Sequence, residues 1–252
     1  MKDEIGDRMK KSYENRSRIY LPRRCYTIIR VDGKAFHTYT KNCKRPFDDG
    51  LMEDIDETAK YLCANIMGAK FAFVQSDEIS LLLTDFDKIN TDAWFDNNIQ
   101  KMVSVSASMA TAAFNKARIL RFFNENPEDI EDLLPSKMAE FDSRVFQIPL
   151  YVEVENYFIW RQQDTVRNSI SSVAQSLYSH KELEGKNVSV QQEMCFQKGV
   201  NWNDFAPKYK RGRVIIKETV DEETEKRTRW ESIEPPVFTQ EREFFRNLIP
   251  RA

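Results

Sequence analysis

The chain has 252 residues and an almost balanced charge, with 38 lysines and arginines against 40 aspartates and glutamates. This length allows one large domain or two small ones, and an aromatic content of 12% excludes an intrinsically disordered chain. The charge balance gives no overall indication of nucleic-acid binding, although a local basic patch can still provide it.

The cysteines and the N-terminus indicate the compartment. No two of the 4 cysteines have CxxC spacing and only 2 histidines are present, which argues against a structural zinc site. The first residues lack the apolar core of a signal peptide. The longest uncharged stretch, 102–115, is too short to span a bilayer. We therefore expect a cytoplasmic, reduced protein that does not enter a membrane.

Apolar periodicity and turn residues predict an alternation of strands and helices. The predicted elements are a polar helix over 1–20, a strand over 25–31, a helix from 48 to 67, strands over 71–74 and 79–83, a helix over 91–118, an acidic surface loop over 124–132, a strand over 145–148, a helix over 150–178, a helix near 188–196, a strand near 213–219 and a charged hairpin turn over 221–227.

From the strand over 25–31 to the strand over 145–148 the order is β-α-β-β-α-β, which is typical of ferredoxin-like folds. We therefore predict an α+β fold with a palm-like antiparallel sheet, helices on one side and a C-terminal extension. The predicted division is a catalytic domain over 1–180 and an α+β extension over 181–252 that packs on it, unless the two form one continuous domain.

Two carboxylates follow predicted strands at matching places. Asp32-Gly33 ends the first strand. Asp77 lies between the strands over 71–74 and 79–83, at the tip of the β-hairpin that they predict. In the split βαβ order these strands are neighbours, so the two carboxylates face each other. Carboxylate oxygens bind hard cations such as Mg²⁺, and facing acids are what a two-metal phosphoryl-transfer site requires. The simpler interpretation is a turn acid and a hairpin acid that bind no metal.

Other chemistries have weaker support. The sequence contains no nucleophile elbow, no P-loop and no dinucleotide fingerprint. Adjacent strand residues point in opposite directions, so Asp77 and Glu78 do not form a glycosidase pair. Glu78 either supports Asp77 from a tight turn or is exposed.

Four motifs in order resemble the tRNA-histidine guanylyltransferase family: Arg30–His37, Gln75–Ser80, Phe141–Arg144 and Tyr157–Asp164. The resemblance implies a polymerase-like palm that adds nucleotides in the 3′-to-5′ direction to the 5′ end of tRNA. It also implies two Mg²⁺ ions, nucleoside triphosphates such as GTP and ATP as substrates, and a homotetramer built as a dimer of dimers.

The resemblance assigns roles to residues by their motif positions. It makes Asp32, Asp77 and the carbonyl of Gly33 the metal ligands, and Glu78 a further catalytic acid. It places the nucleotide on a segment shared between the two motifs: Asp32, Gly33, Lys34, Ala35, Phe36, His37, Ser76 and Asp77. It assigns contacts with the triphosphate, or a part in activating the tRNA end, to Lys44, Arg45, Arg161 and Asn168.

A basic stretch near residue 210 alternates cationic and aromatic side chains. The simpler interpretation of this stretch is a solvent-exposed charged surface without a ligand. With the family resemblance it is the candidate for tRNA phosphate binding, through Lys208, Lys210, Arg211 and Arg213.

One departure from the family pattern bears on the substrate. Eukaryotic members continue the last motif with Cys-His-Ile-Asn-Asn, whereas this chain has Thr165-Val166-Arg167-Asn168. A valine cannot relay a proton as histidine does. The pattern resembles the bacterial and archaeal members that repair 5′-truncated tRNA with the opposite strand as template. The alternatives are addition of the extra guanosine of histidine tRNA, and a non-catalytic tRNA-binding protein.

Overall fold

The computed structural model describes residues 3–125, 137–222 and 225–251. In this part of the chain, six antiparallel strands form one sheet in the order β4-β1-β3-β2-β5-β6. The strands are β1 Tyr26–Gly33, β2 Ala69–Gln75, β3 Glu78–Leu83, β4 Phe141–Ile148, β5 Arg213–Glu222 and β6 Glu225–Ile233. The first four strands have the ferredoxin-like order, which confirms the predicted fold class.

The helices differ widely in length. They are α1 Glu4–Ser12, α2 Phe36–Tyr39, α3 Asp49–Asn65, α4 Ile99–Glu125, α5 Tyr151–Leu177, α6 His180–Leu183, α7 Val188–Gln197, α8 Pro207–Arg211 and α9 Glu243–Leu248. The Asp48 side chain caps α3 by accepting from the Leu51 N–H at 2.9 Å, as expected for an N-cap aspartate. Short 3₁₀ turns cover Glu14–Ser17, Trp94–Asn97 and Trp202–Asp204.

Alternate residues of each central strand point to opposite faces of the sheet, and helices cover both faces. On one face Ile29 and Val31 of β1 pack with α3 and α4. On the other face Tyr26 and Ile28 pack with α5, and Phe245 of α9 joins them. The two helices of the predicted unit lie on one side as expected, and α5 lies on the opposite side.

Several boundaries differ from the sequence prediction. The first helix ends at Ser12, well before residue 20. The helix expected over 91–118 begins at Ile99, because Phe95, Asp96 and Asn97 adopt left-handed backbone angles that interrupt it. The acidic loop expected over 124–132 lies outside the described residues except for the end of α4. The tip of the turn expected at 221–227 also lies outside them.

Residues beyond 180 extend the same sheet, because β5 pairs with β2 and β6 pairs with β5. The boundary expected after residue 180 falls at the first residue of α6, and the sheet continues beyond it through β5 and β6. Within the described ranges, none of the helices has the length and apolar character needed to cross a membrane.

Candidate active site

A cleft of about 700 Å³ opens where β1 ends and the β2–β3 hairpin turns. The segment from α2 to α3 bounds it on one side, and α5 and α8 bound it on the other. Both predicted carboxylates line it, together with basic side chains from three separate segments: Lys44, Arg45, Arg161, Lys208 and Arg213. A cleft with facing acids and surrounding cations suits a polyanionic ligand that is bound together with cations.

The strand register brings Asp32 and Asp77 together. Asp32 is the cross-strand partner of Glu78, and the Gly33 N–H donates to the Asp77 carbonyl at 3.2 Å. Burial is the main cause of a raised pKa at the Asp77 carboxyl, and the nearby Asp32 charge raises that pKa further, as expected for acids at one site. The topology thus produces the pair of acids that the strand and hairpin patterns indicate.

The backbone around these acids is strained and crowded. Ala35 and Ser76 adopt φ angles of 51° and 46°, in the left-handed region that non-glycine residues rarely occupy. A Cβ at Gly33 would lie 2.2 Å from the Phe36 ring, so only glycine fits there. This close packing seats the segment after β1 against the buried Phe36.

Burial raises the pKa of Asp77 to about 6, and the charges of Asp32 and Glu78 add to this shift. In the described ranges no cluster of three or more histidine, cysteine or acidic side chains forms a complete protein cage for a metal. Mg²⁺ does not need such a cage, because it is commonly held by one or two carboxylates plus water and substrate phosphates. The Asp32 and Asp77 carboxylates suit Mg²⁺, because their oxygens are hard ligands and a bound cation would offset their mutual repulsion.

The raised pKa predicts how the stability of the metal-free protein depends on pH. Asp77 has a pKa of about 6 in the folded state against about 3.9 when unfolded, so between these values the folded state binds the extra proton. Stability is therefore lost as the pH rises from about 4 through 6. We expect Asp77→Asn to raise the free energy of unfolding at pH 7.5 by up to about 3 kcal/mol. Urea unfolding with EDTA at pH 4.5 and 7.5 measures this.

Asp87 provides the matched control. Burial opposes its charge, but hydrogen bonds from Lys70 and Thr84 outweigh that effect and hold the pKa of Asp87 below its usual range. Asp87→Asn should therefore lower stability slightly at pH 7.5, the opposite sign. An Asp77→Asn variant no more stable than the wild type at pH 7.5 would show that the Asp77 carboxylate is not destabilised.

Glu78 faces the α5 side of the sheet and is buried. Both of its carboxylate oxygens accept from Arg161, at 2.8 and 2.6 Å, and its Oε1 accepts from the Ser80 hydroxyl at 3.2 Å. The Arg30 guanidinium lies 3.9 Å away. These contacts place Glu78 in support of the hairpin tip and direct Arg161 towards an acid of the protein, although both side chains reach the cleft wall.

The remaining residues of the predicted nucleotide segment divide between the cleft and its outer surface. Gly33, Ala35, Phe36, His37 and Ser76 line the cleft. Lys34 does not line it: its ammonium group is exposed and pairs with Glu140 at 2.6 Å. Of this segment, Lys34 is thus the residue whose side chain the structure directs elsewhere.

Among the predicted phosphate-binding residues, Lys44, Arg45 and Asn168 are exposed and line the cleft. Lys208 lines it as well, and its ammonium lies 2.6 Å from Asp49 at the start of α3. The cleft rim therefore carries solvent-accessible cationic and polar side chains that a triphosphate can contact.

The other three residues of the basic stretch lie in different surroundings. Arg213 is buried and its Nε donates to Asp56 at 2.7 Å, so it ties β5 to α3. Lys210 donates to the Asn203 carbonyl at 2.6 Å, and burial lowers its pKa. Arg211 is half-buried beside it. Burial and pairing favour a structural role for Arg213.

Sequence reasoning gave no role to several residues that shape the site. The Tyr209 hydroxyl donates to Asp49 at 2.7 Å, and its ring stacks on Phe47 with centroids 4.7 Å apart. The Thr165 hydroxyl donates to the Gln75 amide oxygen at 2.6 Å. Tyr209 lies in the basic stretch near residue 210, and Thr165 directly follows the last family motif. Those positions are the one sequence feature that indicates a role for either residue.

Comparisons with known proteins identify the family of this chain. The family model described as "Thg1: tRNAHis guanylyltransferase" matches residues 6–149. A solved bacterial Thg1-like protein in complex with ATP is 47% identical, with a TM-score of 0.84 and coverage of 98% of this chain and 99% of that one. A complex of a bacterial Thg1-like protein with GTP is also 47% identical, with a TM-score of 0.79 and coverage of 96% and 97%.

The similarity extends to eukaryotic enzymes at lower identity. The tRNA(His) guanylyltransferase of Saccharomyces cerevisiae is 27% identical over 213 residues, which cover 79% of this chain and 85% of that protein. The family model covers more than half of the chain, and the similarity to the bacterial structures covers almost all of it. The chain therefore belongs to the tRNA(His) guanylyltransferase family of nucleotidyltransferases.

Proposed function

We propose that this protein adds nucleotides in the 3′-to-5′ direction to the 5′ end of truncated tRNA, with the opposite strand as template. One observation carries the proposal: Asp32 and Asp77 meet at the wall of a cleft that basic side chains surround. Such an arrangement suits a triphosphate and the cations that accompany it. The bacterial relatives solved with ATP and with GTP support triphosphates as the ligands.

The site residues divide the work of the reaction. Asp32, Asp77 and the Gly33 carbonyl would hold two Mg²⁺ ions, which when bound supply Lewis-acid stabilisation of the attacking 3′-hydroxyl and of the leaving pyrophosphate. Lys44, Arg45 and Lys208 bind the phosphates at the rim and offset their charge. Base pairing with the opposite strand selects the incoming nucleotide, so the protein needs no base-specific pocket.

Val166 favours repair over addition of the extra guanosine of histidine tRNA. It is half-buried on α5, between Thr165 and Arg167. Its apolar side chain can neither donate nor accept a proton, so it cannot perform the task of a histidine at this place. Asn168 remains in the cleft wall as the polar group of this helix turn.

Extension of defined tRNAs tests the proposal. We expect a tRNA that lacks its first nucleotide and carries a 5′ triphosphate to be extended by the matching base with Mg²⁺, and a changed opposite base to change the nucleotide added. Intact histidine tRNA should receive no extra guanosine. Guanosine addition irrespective of the opposite base would instead establish the guanylyltransferase alternative.

The non-catalytic alternative has less support from the fold. RNA-binding sheets expose stacking aromatics on an open face, whereas helices cover both faces of this sheet. Tight tRNA binding without nucleotide incorporation under any divalent metal would favour that alternative. The tetrameric assembly, the cytoplasmic location and the division near residue 180 stay predictions, which sedimentation, cell fractionation and limited proteolysis can test.

A further inference from the structure

A tryptophan is exposed close to the candidate active site but outside the cleft. Trp160 on α5 is 47% exposed, although tryptophan side chains are usually well buried. The Arg161 guanidinium lies 4.4 Å from the centre of its ring, and Tyr157 contacts it edge-on at 5.8 Å. The Arg161 guanidinium thus lies over the indole, and close to half of the tryptophan surface stays open to solvent.

The helix geometry places this ring on the flank of α5 that is nearer to the edge strand β4. Phe158 packs against Phe71 of β2, with ring centroids 4.6 Å apart. Trp160 follows two residues later, about 200° around the helix, and therefore lies on the opposite flank. Tyr157, which contacts Trp160, also contacts Phe146 of β4 at 5.6 Å. Trp160 thus lies on the β4 side of α5.

Two exposed arginines share this side. Arg144 of β4 is the cross-strand partner of Arg30. Its Nη2 donates to the exposed Asp142 carboxylate at 3.2 Å and lies 3.7 Å from Asp32. Arg167 lies two helix turns after Trp160 on the same flank and pairs with Asp164 at 2.9 Å. About half of each arginine side chain is exposed. We call Arg144, Trp160 and Arg167 the β4–α5 surface.

We propose that the β4–α5 surface binds the acceptor end of tRNA, with Trp160 stacked on a nucleobase and Arg144 on a neighbouring phosphate. The inference rests on the proposed function and adds the RNA path to it. An open aromatic face beside guanidinium groups is what proteins use to hold unpaired bases and backbone phosphates. Arg144 connects this surface to Asp32, so an RNA end held there reaches the carboxylates.

A simpler role for Trp160 is to shield the buried Glu78–Arg161 pair from water. In that case its removal lowers stability and weakens binding of every RNA to the same degree. Stacking predicts instead a loss that depends on one particular base. The base has two candidate sources, the 5′-terminal nucleotide and the nucleotide of the opposite strand that faces the gap.

Direct binding separates these cases. Fluorescence anisotropy with Mg²⁺ and no nucleotide measures the affinity of three 5′-truncated tRNAs: one with all bases, one abasic at the 5′ terminus and one abasic opposite the gap. We expect Trp160→Leu to weaken the first about tenfold, in line with the usual contribution of one stacked base. Trp160→Phe, which keeps a ring, should retain most of the affinity. One abasic tRNA should show the same loss with the wild type and no further loss with Trp160→Leu, which identifies the base.

Tyr61→Ala on α3 is the control, because Tyr61 is 46% exposed and lies outside the proposed surface; it should bind like the wild type. Arg144→Gln should weaken all three tRNAs alike, as a phosphate contact does. Equal losses for all three tRNAs in the folded Trp160→Leu variant, or no loss, would overturn the inference. If the wild type extends truncated tRNA and the Trp160→Leu variant binds it normally, only the inference fails. If the wild type neither binds nor extends tRNA, the proposed function itself fails.

Discussion

Replacing either Asp32 or Asp77 by asparagine should reduce extension of truncated tRNA by about a thousandfold or more. Each carboxylate is needed to hold the cations, and these stabilise the negative charge of the transition state by several kcal/mol. Asparagine keeps the size of the side chain and an oxygen ligand but removes the negative charge. Single-turnover extension with excess enzyme measures the chemical step without product release. Raising the Mg²⁺ concentration should restore part of the activity.

The control for this pair is Asp87→Asn, since Asp87 pairs with Lys70 just beyond the end of β3 that lies away from the hairpin tip. We expect its activity to stay within about twofold of the wild type, the range of a surface substitution. The Asp77→Asn variant should also be more stable than the wild type at neutral pH, so a loss of activity in this variant cannot be ascribed to unfolding. Normal extension by both Asp32→Asn and Asp77→Asn would remove the cation-binding assignment.

The meeting of Asp32 and Asp77 could be predicted from sequence because it depends only on local patterns. A strand that ends in Asp-Gly and a hairpin with an acid at its tip become neighbours as soon as the β-α-β-β-α-β order is recognised. The tight backbone at Gly33 is the expected use of a glycine. Such features follow from strand order and turn chemistry without knowledge of distant partners.

The partners of charged side chains could not be predicted in this way. Glu78 and Arg161 are 83 positions apart, and their contact depends on how α5 crosses the sheet. Arg213 looks like part of an exposed basic stretch, but β5 adds to the edge of β2 and carries it against Asp56. Periodicity gives the face of a strand to which a residue points, but not which distant helix packs on that face.

Among the substitutions considered, we expect the largest loss of stability from removing Arg161 from its ion pair with Glu78. Both side chains are buried, and after Arg161→Met the cation that the described residues keep near the Glu78 carboxylate is Arg30, 3.9 Å away. Breaking a buried ion pair by removing one partner costs about 3–5 kcal/mol, which lowers the unfolding midpoint by about 10 °C in a chain of this size. Differential scanning calorimetry and urea unfolding measure both quantities.

Arg167→Met is the matched control, because Arg167 lies on the same helix and pairs with the same Asp164, but on the exposed flank. Its loss should stay below about 1 kcal/mol, as for other exposed ion pairs. Adding Glu78→Gln to Arg161→Met removes the stranded charge and should recover at least half of the lost stability. If the double variant is no more stable than Arg161→Met alone, the stranded carboxylate is not the cause. Extension assays on the recovered double variant then separate the two roles of Glu78: a loss as deep as in Asp77→Asn supports a catalytic acid, and retained activity assigns it to holding the hairpin tip.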